Sequence, residues 1–192
     1  MSGASIPVGA AATGPRGALL RGAALLDRAV RVLAEAVVLI SGIALLTLLF
    51  ANVVSRYVTA AGGLDWIEEV PEKLFPWFIM AGVVLAAQGG GHMAVEWILP
   101  KLGRGAKRVL LVAGHLAVVA TYAILVREAL EVAGIAAMER SPVLGLPNSH
   151  GYYALAAGCA LLAFSTATIA LRLVLVGPEA LPQPAPEEVP TA

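Results

Sequence analysis

The chain is short of charge and of cysteine, and each shortage excludes a class of protein. Charged residues make up only 14% of the 192 residues, whereas a soluble domain usually carries about 25%. The formal net charge is zero, so nothing in the composition favours a nucleic-acid partner. The single cysteine, Cys159, has no second cysteine for a disulfide or a metal site, and we expect it to pack as a small apolar residue.

The sequence also lacks a recognisable catalytic arrangement. A nucleophile requires a base at matching depth, but Ser41 and Ser165 lie within apolar stretches, while His92 and His150 lie at predicted helix ends on opposite sides. Paired carboxylates are missing from the middle of these stretches, and no phosphate-binding glycine motif is present. We therefore predict a protein that is not an enzyme and that holds no cofactor or metal.

What the chain has in excess is apolar sequence, at 59% of its residues. Four long apolar runs stand out: Leu33–Val54, Leu74–Ala87, Val109–Val126 and Tyr152–Val176. A bilayer core about 30 Å thick takes about 20 residues of helix, and three of the runs are long enough to cross it. Because backbone groups in lipid must pair internally, we predict an all-α integral membrane protein with four transmembrane helices.

Lys and Arg are concentrated on one side of these four spans. Nine of the 13 lie in the N-terminal segment, in the connector after the second run and near the C-terminus, namely Arg16, Arg21, Arg28, Arg31, Lys101, Arg104, Lys107, Arg108 and Arg172. An excess of Lys and Arg marks the cytoplasmic side, so both termini are predicted to be cytoplasmic. We expect residues 1–31 and 177–192 to form disordered tails around a membrane domain at residues 32–176.

The connector before the second run, Leu64–Lys73, has the pattern of an amphipathic helix. Apolar residues recur every three or four positions, with acids between them at Glu68, Glu69 and Glu72. Trp66 and Trp77 are residues that favour the headgroup region. We expect a short interfacial helix on the outer side that bends into the second span near Pro71 and Pro76. Its partner is either the headgroup layer alone or another protein.

The next connector predicts a second interfacial helix and also raises an alternative function. Three glycines at residues 89–91 are expected to stop the second helix, and His92–Leu99 follows on the cytoplasmic face. Two histidines on different helices at one depth hold a b-type haem, and His92 and His115 are the available pair. A small cytochrome b-like electron-transfer subunit is therefore the alternative, and a stand-alone structural membrane protein is a third hypothesis.

The last connector is charged at its start and apolar later. Arg127 and Glu131 are spaced to form an ion pair on a helix, and we expect this turn to project from the membrane because charges within the apolar core are rare. Ser141–Pro147 contains two prolines and a glycine, which restrict its backbone. An outer loop this apolar is expected to pack against something.

Four motifs in these connectors, in this order, resemble the small membrane subunit of tripartite ATP-independent periplasmic (TRAP) transporters, the DctQ-like family. They are Ser55-Arg56-Tyr57, Trp66-Ile67-Glu68-Glu69 with Trp77 after it, the segment Gly91–Glu96, and Ser141–Pro147 with Tyr153 and Gly158 downstream. The chain departs from the family pattern at Pro71, Pro76, Ala156 and Glu96. These departures affect the expected helix geometry.

The resemblance implies a function. In that family a periplasmic binding protein delivers an organic acid to a large membrane subunit, which carries it with sodium across the bacterial inner membrane. The small subunit is implied to be a non-catalytic scaffold that supports the large subunit and helps dock the binding protein. The residues expected to form the interface or to support it are Arg56, Trp66, Glu69, Trp77, His92, Glu96, Ser141, Pro142, Leu146 and Pro147.

Overall fold

A computed structural model describes residues 15–58, 65–89 and 103–177 of the chain. These residues form four long helices, α1 (Pro15–Val58), α2 (Asp65–Gln88), α3 (Arg104–Ala136) and α4 (His150–Leu175), and no strand. Each of the four is long and apolar enough to cross a membrane. The all-α fold with four membrane-length helices, predicted from the apolar runs, is confirmed.

Helix α1 begins well before the position that composition indicated. The tail prediction reached residue 31, but the helix already starts at Pro15 and runs for 44 residues. Proline is favoured in the first turn of a helix, where its missing N–H has no partner to lose, and the Ala and Leu residues that follow are strong helix formers. Residues 15–31, which were predicted to belong to a disordered tail, are helical in the structure, and residues 1–14 and 178–192 lie outside the described ranges.

Helix α2 is one continuous element from Asp65 to Gln88, with Pro71 and Pro76 inside it. The predicted interfacial helix is its first part and not a separate helix. Proline removes one backbone hydrogen bond but need not end a helix that neighbouring helices hold in place. The second predicted interfacial helix, His92–Leu99, lies outside the described residues.

Helix α4 lies at the centre of the bundle and packs against α3, α2 and α1, while α1 also packs along α2. In the most apolar 18-residue stretch of α4, 50% of the residues are buried inside the protein, compared with 6% in the corresponding stretch of α3. At Gly158 a Cβ atom would lie 2.8 Å from the Cβ of Met80, so α4 and α2 approach closely at a position where no side chain separates them. The buried core that α1, α2 and α4 share consists of Val30, Ala34, Ala81, Val84 and Leu162.

The bundle has two ends, the loop end and the terminal end. The loop end contains the end of α1, the start of α2 and the segment between α3 and α4. The terminal end contains the starts of α1 and α3 and the ends of α2 and α4. Helix α3 extends ten residues past Val126, and Arg127 and Glu131 are exposed on it. Its 33 residues span about 50 Å, more than a bilayer core requires.

Candidate functional site

The apolar loop at the loop end is folded back on itself. The backbone N–H of Ser141 donates to the Leu146 carbonyl at 2.9 Å, and the N–H of Gly145 donates to the Ser141 carbonyl at 3.0 Å. Gly145 has a φ of 64°, a left-handed conformation that costs a residue with a Cβ about 1–2 kcal/mol. Arg140 donates to the Gly145 carbonyl at 2.9 Å and pairs with Pro147 in a β-bridge. The loop therefore has a closed and defined shape.

Glu69 of α2 holds this loop against the bundle. One carboxylate oxygen accepts from the N–H of Val143 at 2.9 Å, and the other accepts from the N–H of Leu144 at 2.8 Å. The Ser141 hydroxyl accepts from the N–H of Leu146 at 3.2 Å. Glu69 is buried, so its charge depends on these donors. Sequence analysis placed Glu69 and the loop on the same side, and the structure joins them.

Lys73 lies one turn further along α2 and supplies a cation near Glu69. The ammonium group donates to the Asn148 side-chain oxygen at 2.6 Å and to Glu72 at 3.1 Å, and the residue is buried. Asn148 itself donates its backbone N–H to the Glu139 carbonyl at 3.0 Å. Through Glu69 and Lys73, two successive turns of α2 are tied to the segment that links α3 with α4. A buried charge is tolerated when it is paired in this way.

Arg56 makes a third connection at this end. Its guanidinium pairs with the Glu68 carboxylate, which joins the last turns of α1 to the first turn of α2. Both side chains are more than half exposed, so solvent screens the pair. This contact links the first two motifs found in the sequence.

The remaining predicted site residues are distributed along the bundle. Pro142 and Leu146 are exposed on the loop, whereas Ser141 is buried beneath it and Pro147 is half-buried. Trp66 and Trp77 are both exposed, but they lie eleven residues apart on α2, about 16 Å along the helix. Trp66 lies near the loop end, and Trp77 lies deeper in the bundle. His92 and Glu96 lie outside the described residues.

A polar cluster at the terminal end was not found by sequence reasoning. Asp27 of α1 pairs with Arg172 and accepts from the Thr168 hydroxyl at 2.8 Å. The Gln88 amide lies between the helices, 3.3 Å from the Asp27 carbonyl and 3.4 Å from the Ser165 hydroxyl. Two features of the sequence could have indicated this cluster: the acid Asp27 inside a basic segment, and the lone Arg172 inside the last apolar run. Ionisable residues in membrane helices are usually paired, so each of the two needed a partner.

The predicted haem pair is His92 and His115, and of these two only His115 lies within the described residues. His115 hydrogen-bonds through Nδ1 to the Leu111 carbonyl of its own helix at 2.7 Å. His150 hydrogen-bonds to the Pro147 carbonyl at 2.8 Å at the loop end. His115 is eleven residues from the other end of α3, so the two rings lie at different depths. Within the described ranges no three His, Cys, Asp or Glu side chains are grouped closely enough to hold a metal ion.

The sequence of this chain matches a known protein family and individual relatives. The family model described as "Tripartite ATP-independent periplasmic transporters, DctQ component" matches residues 45–175. "Uncharacterized protein y4mM" of Sinorhizobium fredii is 49% identical over 153 residues, which are 80% of this chain and 28% of that protein. A "Putative TRAP transporter small permease protein" of Haemophilus influenzae is 26% identical over 110 residues, 57% of this chain and 66% of that protein. The chain thus matches less than a third of the first relative and about two thirds of the second.

Proposed function

Because the chain belongs to the family of DctQ components of tripartite ATP-independent periplasmic transporters, we propose that it is the small permease subunit of such a transporter. It serves as a non-catalytic scaffold in the bacterial inner membrane, with both termini in the cytoplasm and the loop end in the periplasm. Its partners are a large transport subunit and a periplasmic binding protein, and the transporter imports an organic acid with sodium. Family membership favours this function over the electron-transfer alternative.

The observation that carries the scaffold role is the tether between Glu69 and the loop. Two backbone N–H groups of the loop bind the carboxylate, and the loop closes on itself through Ser141. A surface whose shape is set before binding loses little conformational entropy when a partner docks. Pro142 and Leu146 are exposed on that surface and offer apolar contacts. This arrangement supports a docking role for the loop end.

Two helix faces support a role beside a larger subunit. On α1, large apolar side chains recur every three or four residues and are all exposed: Leu39, Ile43, Leu46, Phe50 and Val53. Helix α3 is also largely exposed along its apolar length. In a membrane such faces contact lipid or the apolar helices of another subunit. The Sinorhizobium relative has a similar segment as 28% of its length, which fits a segment that works beside a larger body.

Co-expression with the large subunit of a transporter of this family tests the scaffold role. We expect the two proteins to purify together in a mild detergent at a fixed ratio, and we expect sodium-dependent uptake of the organic acid to be lost when this chain is deleted. Purification of the chain alone, together with unchanged uptake after its deletion, would contradict the proposal.

A second experiment separates docking from assembly. The double variant Pro142→Glu with Leu146→Glu places charge on the exposed loop without removing the Glu69 tether. We expect about tenfold more binding protein to be needed for half-maximal uptake, since central apolar contacts dominate an interface, with no change in co-purification. The matched control is Val176→Glu, an exposed apolar residue at the terminal end, which is expected to leave the required concentration unchanged. Equal effects of the two variants would count against docking at the loop.

A further inference from the structure

A polar cavity of about 330 Å³ opens at the terminal end between α1, α2 and α4. It lies between the last turn of α2 and the last three turns of α4, so its outer part, at Gln88 and Arg172, is close to the helix ends and to the headgroup layer that helices of this length reach. The polar side chains that line it are Asp27, Arg28, Arg31, Gln88, Ser165 and Arg172.

The charges in this cavity do not balance. Asp27 is the one acid among the lining residues, and it is already engaged by Arg172 and Thr168. Arg28 and Arg31 lie on the same face of α1, one turn apart, and neither pairs with an acid among the residues that the structure describes. Glu35, one turn further along α1, does not line the cavity. Two guanidinium groups therefore remain to bind an anion.

We propose that this cavity binds the phosphate group of an anionic phospholipid. The planar guanidinium fork matches phosphate oxygens and forms charge-assisted hydrogen bonds with them. Basic cavities between membrane helices at headgroup depth suit anionic lipids for the same reason. The Gln88 amide and the Ser165 hydroxyl, which also line the cavity, offer hydrogen bonds to the ester or glycerol oxygens.

An apolar groove beside the cavity favours a lipid over a free anion. This groove, of about 680 Å³, lies between α1 and α4, and its large apolar side chains are Leu19, Leu26, Phe164 and Leu171. Thr168 lines the groove, and Asp27, which accepts its hydrogen bond, lines the cavity. The phosphate of a phospholipid can bind in the polar cavity while its acyl chains contact the apolar groove. Inorganic phosphate can bind only in the cavity.

The test measures lipid binding to the full chain, purified in a non-ionic detergent with any subunits that remain bound. Phosphatidylglycerol is titrated and followed by native mass spectrometry and by thermal unfolding, with phosphatidylcholine and inorganic phosphate as separate arms. We expect phosphatidylglycerol alone to bind and stabilise. The double variant Arg28→Ala with Arg31→Ala is expected to bind it at least about tenfold more weakly, because two charge-assisted hydrogen bonds are lost.

The matched control, Arg21→Ala with Lys107→Ala, removes the same charge at the same end from residues that do not line the cavity. It is expected to keep the affinity of the unmodified protein. If the alanine variant does not fold, Arg28→Lys with Arg31→Lys keeps the charge but not the planar fork, and weaker binding by this variant supports the proposal. The proposal would be overturned by an equal loss of affinity for phosphatidylglycerol in variant and control. Equal binding of the two lipids, or equal stabilisation by inorganic phosphate and by lipid, would also overturn it.

Discussion

The loop end and the terminal end of the bundle each hold a carboxylate between helices, but the two carboxylates have different partners. Glu69 binds the backbone N–H groups of a closed loop, whose positions the loop itself defines. Asp27 binds the side chains of Thr168 and Arg172 beside an open cavity. The first arrangement fixes the shape of a loop, whereas the second lies beside Arg28 and Arg31, which pair with no acid among the described residues.

The difference shows how a protein with no recognised catalytic chemistry still uses buried polar groups. Membrane helices associate with little hydrophobic drive, so polar contacts between them are specific points of attachment. At the loop end these contacts satisfy one another, and the loop exposes the apolar side chains of Val143 and Leu146. At the terminal end two arginines exceed the acids that line the cavity. We expect substitutions at the two ends to differ accordingly, in stability at one end and in ligand binding at the other.

The largest effect is expected from Glu69→Ala. The change leaves the N–H groups of Val143 and Leu144 without their acceptor and removes the carboxylate near the buried Lys73. Leaving partly buried donors unpaired and leaving a buried charge uncompensated are both costly. We expect the Tm of the purified protein to fall by about 5 °C or more, and we expect a protease to cut within Ser141–Pro147 faster than in the unmodified protein.

Glu72→Ala is the matched control, because Glu72 is an exposed acid next to Lys73 on the same helix. Its loss leaves the contact between Lys73 and Asn148 in place, so a change of less than about 2 °C is expected. If both variants unfold at the same temperature, the loop is not held by Glu69 and the contrast between the two ends disappears.

A smaller loss of stability, with a gain in binding, is expected from Asp27→Asn. The change breaks the ion pair with Arg172, whose side chain is 31% exposed compared with 22% for Asp27, so water compensates for part of the loss. We expect the Tm to fall by about 2–3 °C. Because the acid that lines the cavity is removed, phosphatidylglycerol should bind more tightly, as measured by the same titration. Weaker lipid binding would show that Asp27 does not oppose an anion in the cavity.

The helices could be predicted from the sequence because their signal is local. A run such as Val109–Val126 needs only length and low polarity to indicate a membrane helix. The start of α1 was missed because the segment before Leu33 mixes glycine and arginine with strong helix formers, and composition alone favours a tail. In the structure Ala18, Leu19, Ala23 and Leu26 line the apolar groove between α1 and α4.

The contacts could not be predicted because their partners are far apart in the chain. Glu69 binds groups 74 and 75 residues away, and Asp27 pairs with a residue 145 positions away. A motif indicated that Glu69 and the loop lie on the same side but could not indicate that one accepts hydrogen bonds from the other. The sequence shows an acid in a basic segment and an arginine in the last apolar run, but it could not show that Asp27 and Arg172 meet, so the cavity beside them was not predicted.

The smallest effect is expected from Arg56→Ala, although Arg56 belongs to a motif that supported the family resemblance. Its pair with Glu68 joins α1 to α2 at the loop end, but the two side chains are 59% and 52% exposed. Exposed ion pairs contribute less than about 1 kcal/mol, so we expect the Tm to change by less than about 2 °C. A double-mutant cycle with Glu68→Ala, repeated in about 1 M salt, should give a coupling that disappears as the charges are screened. A coupling that persists in salt and rivals the effect of Glu69→Ala would mean that the ion pair, and not the buried tether, holds the loop end together.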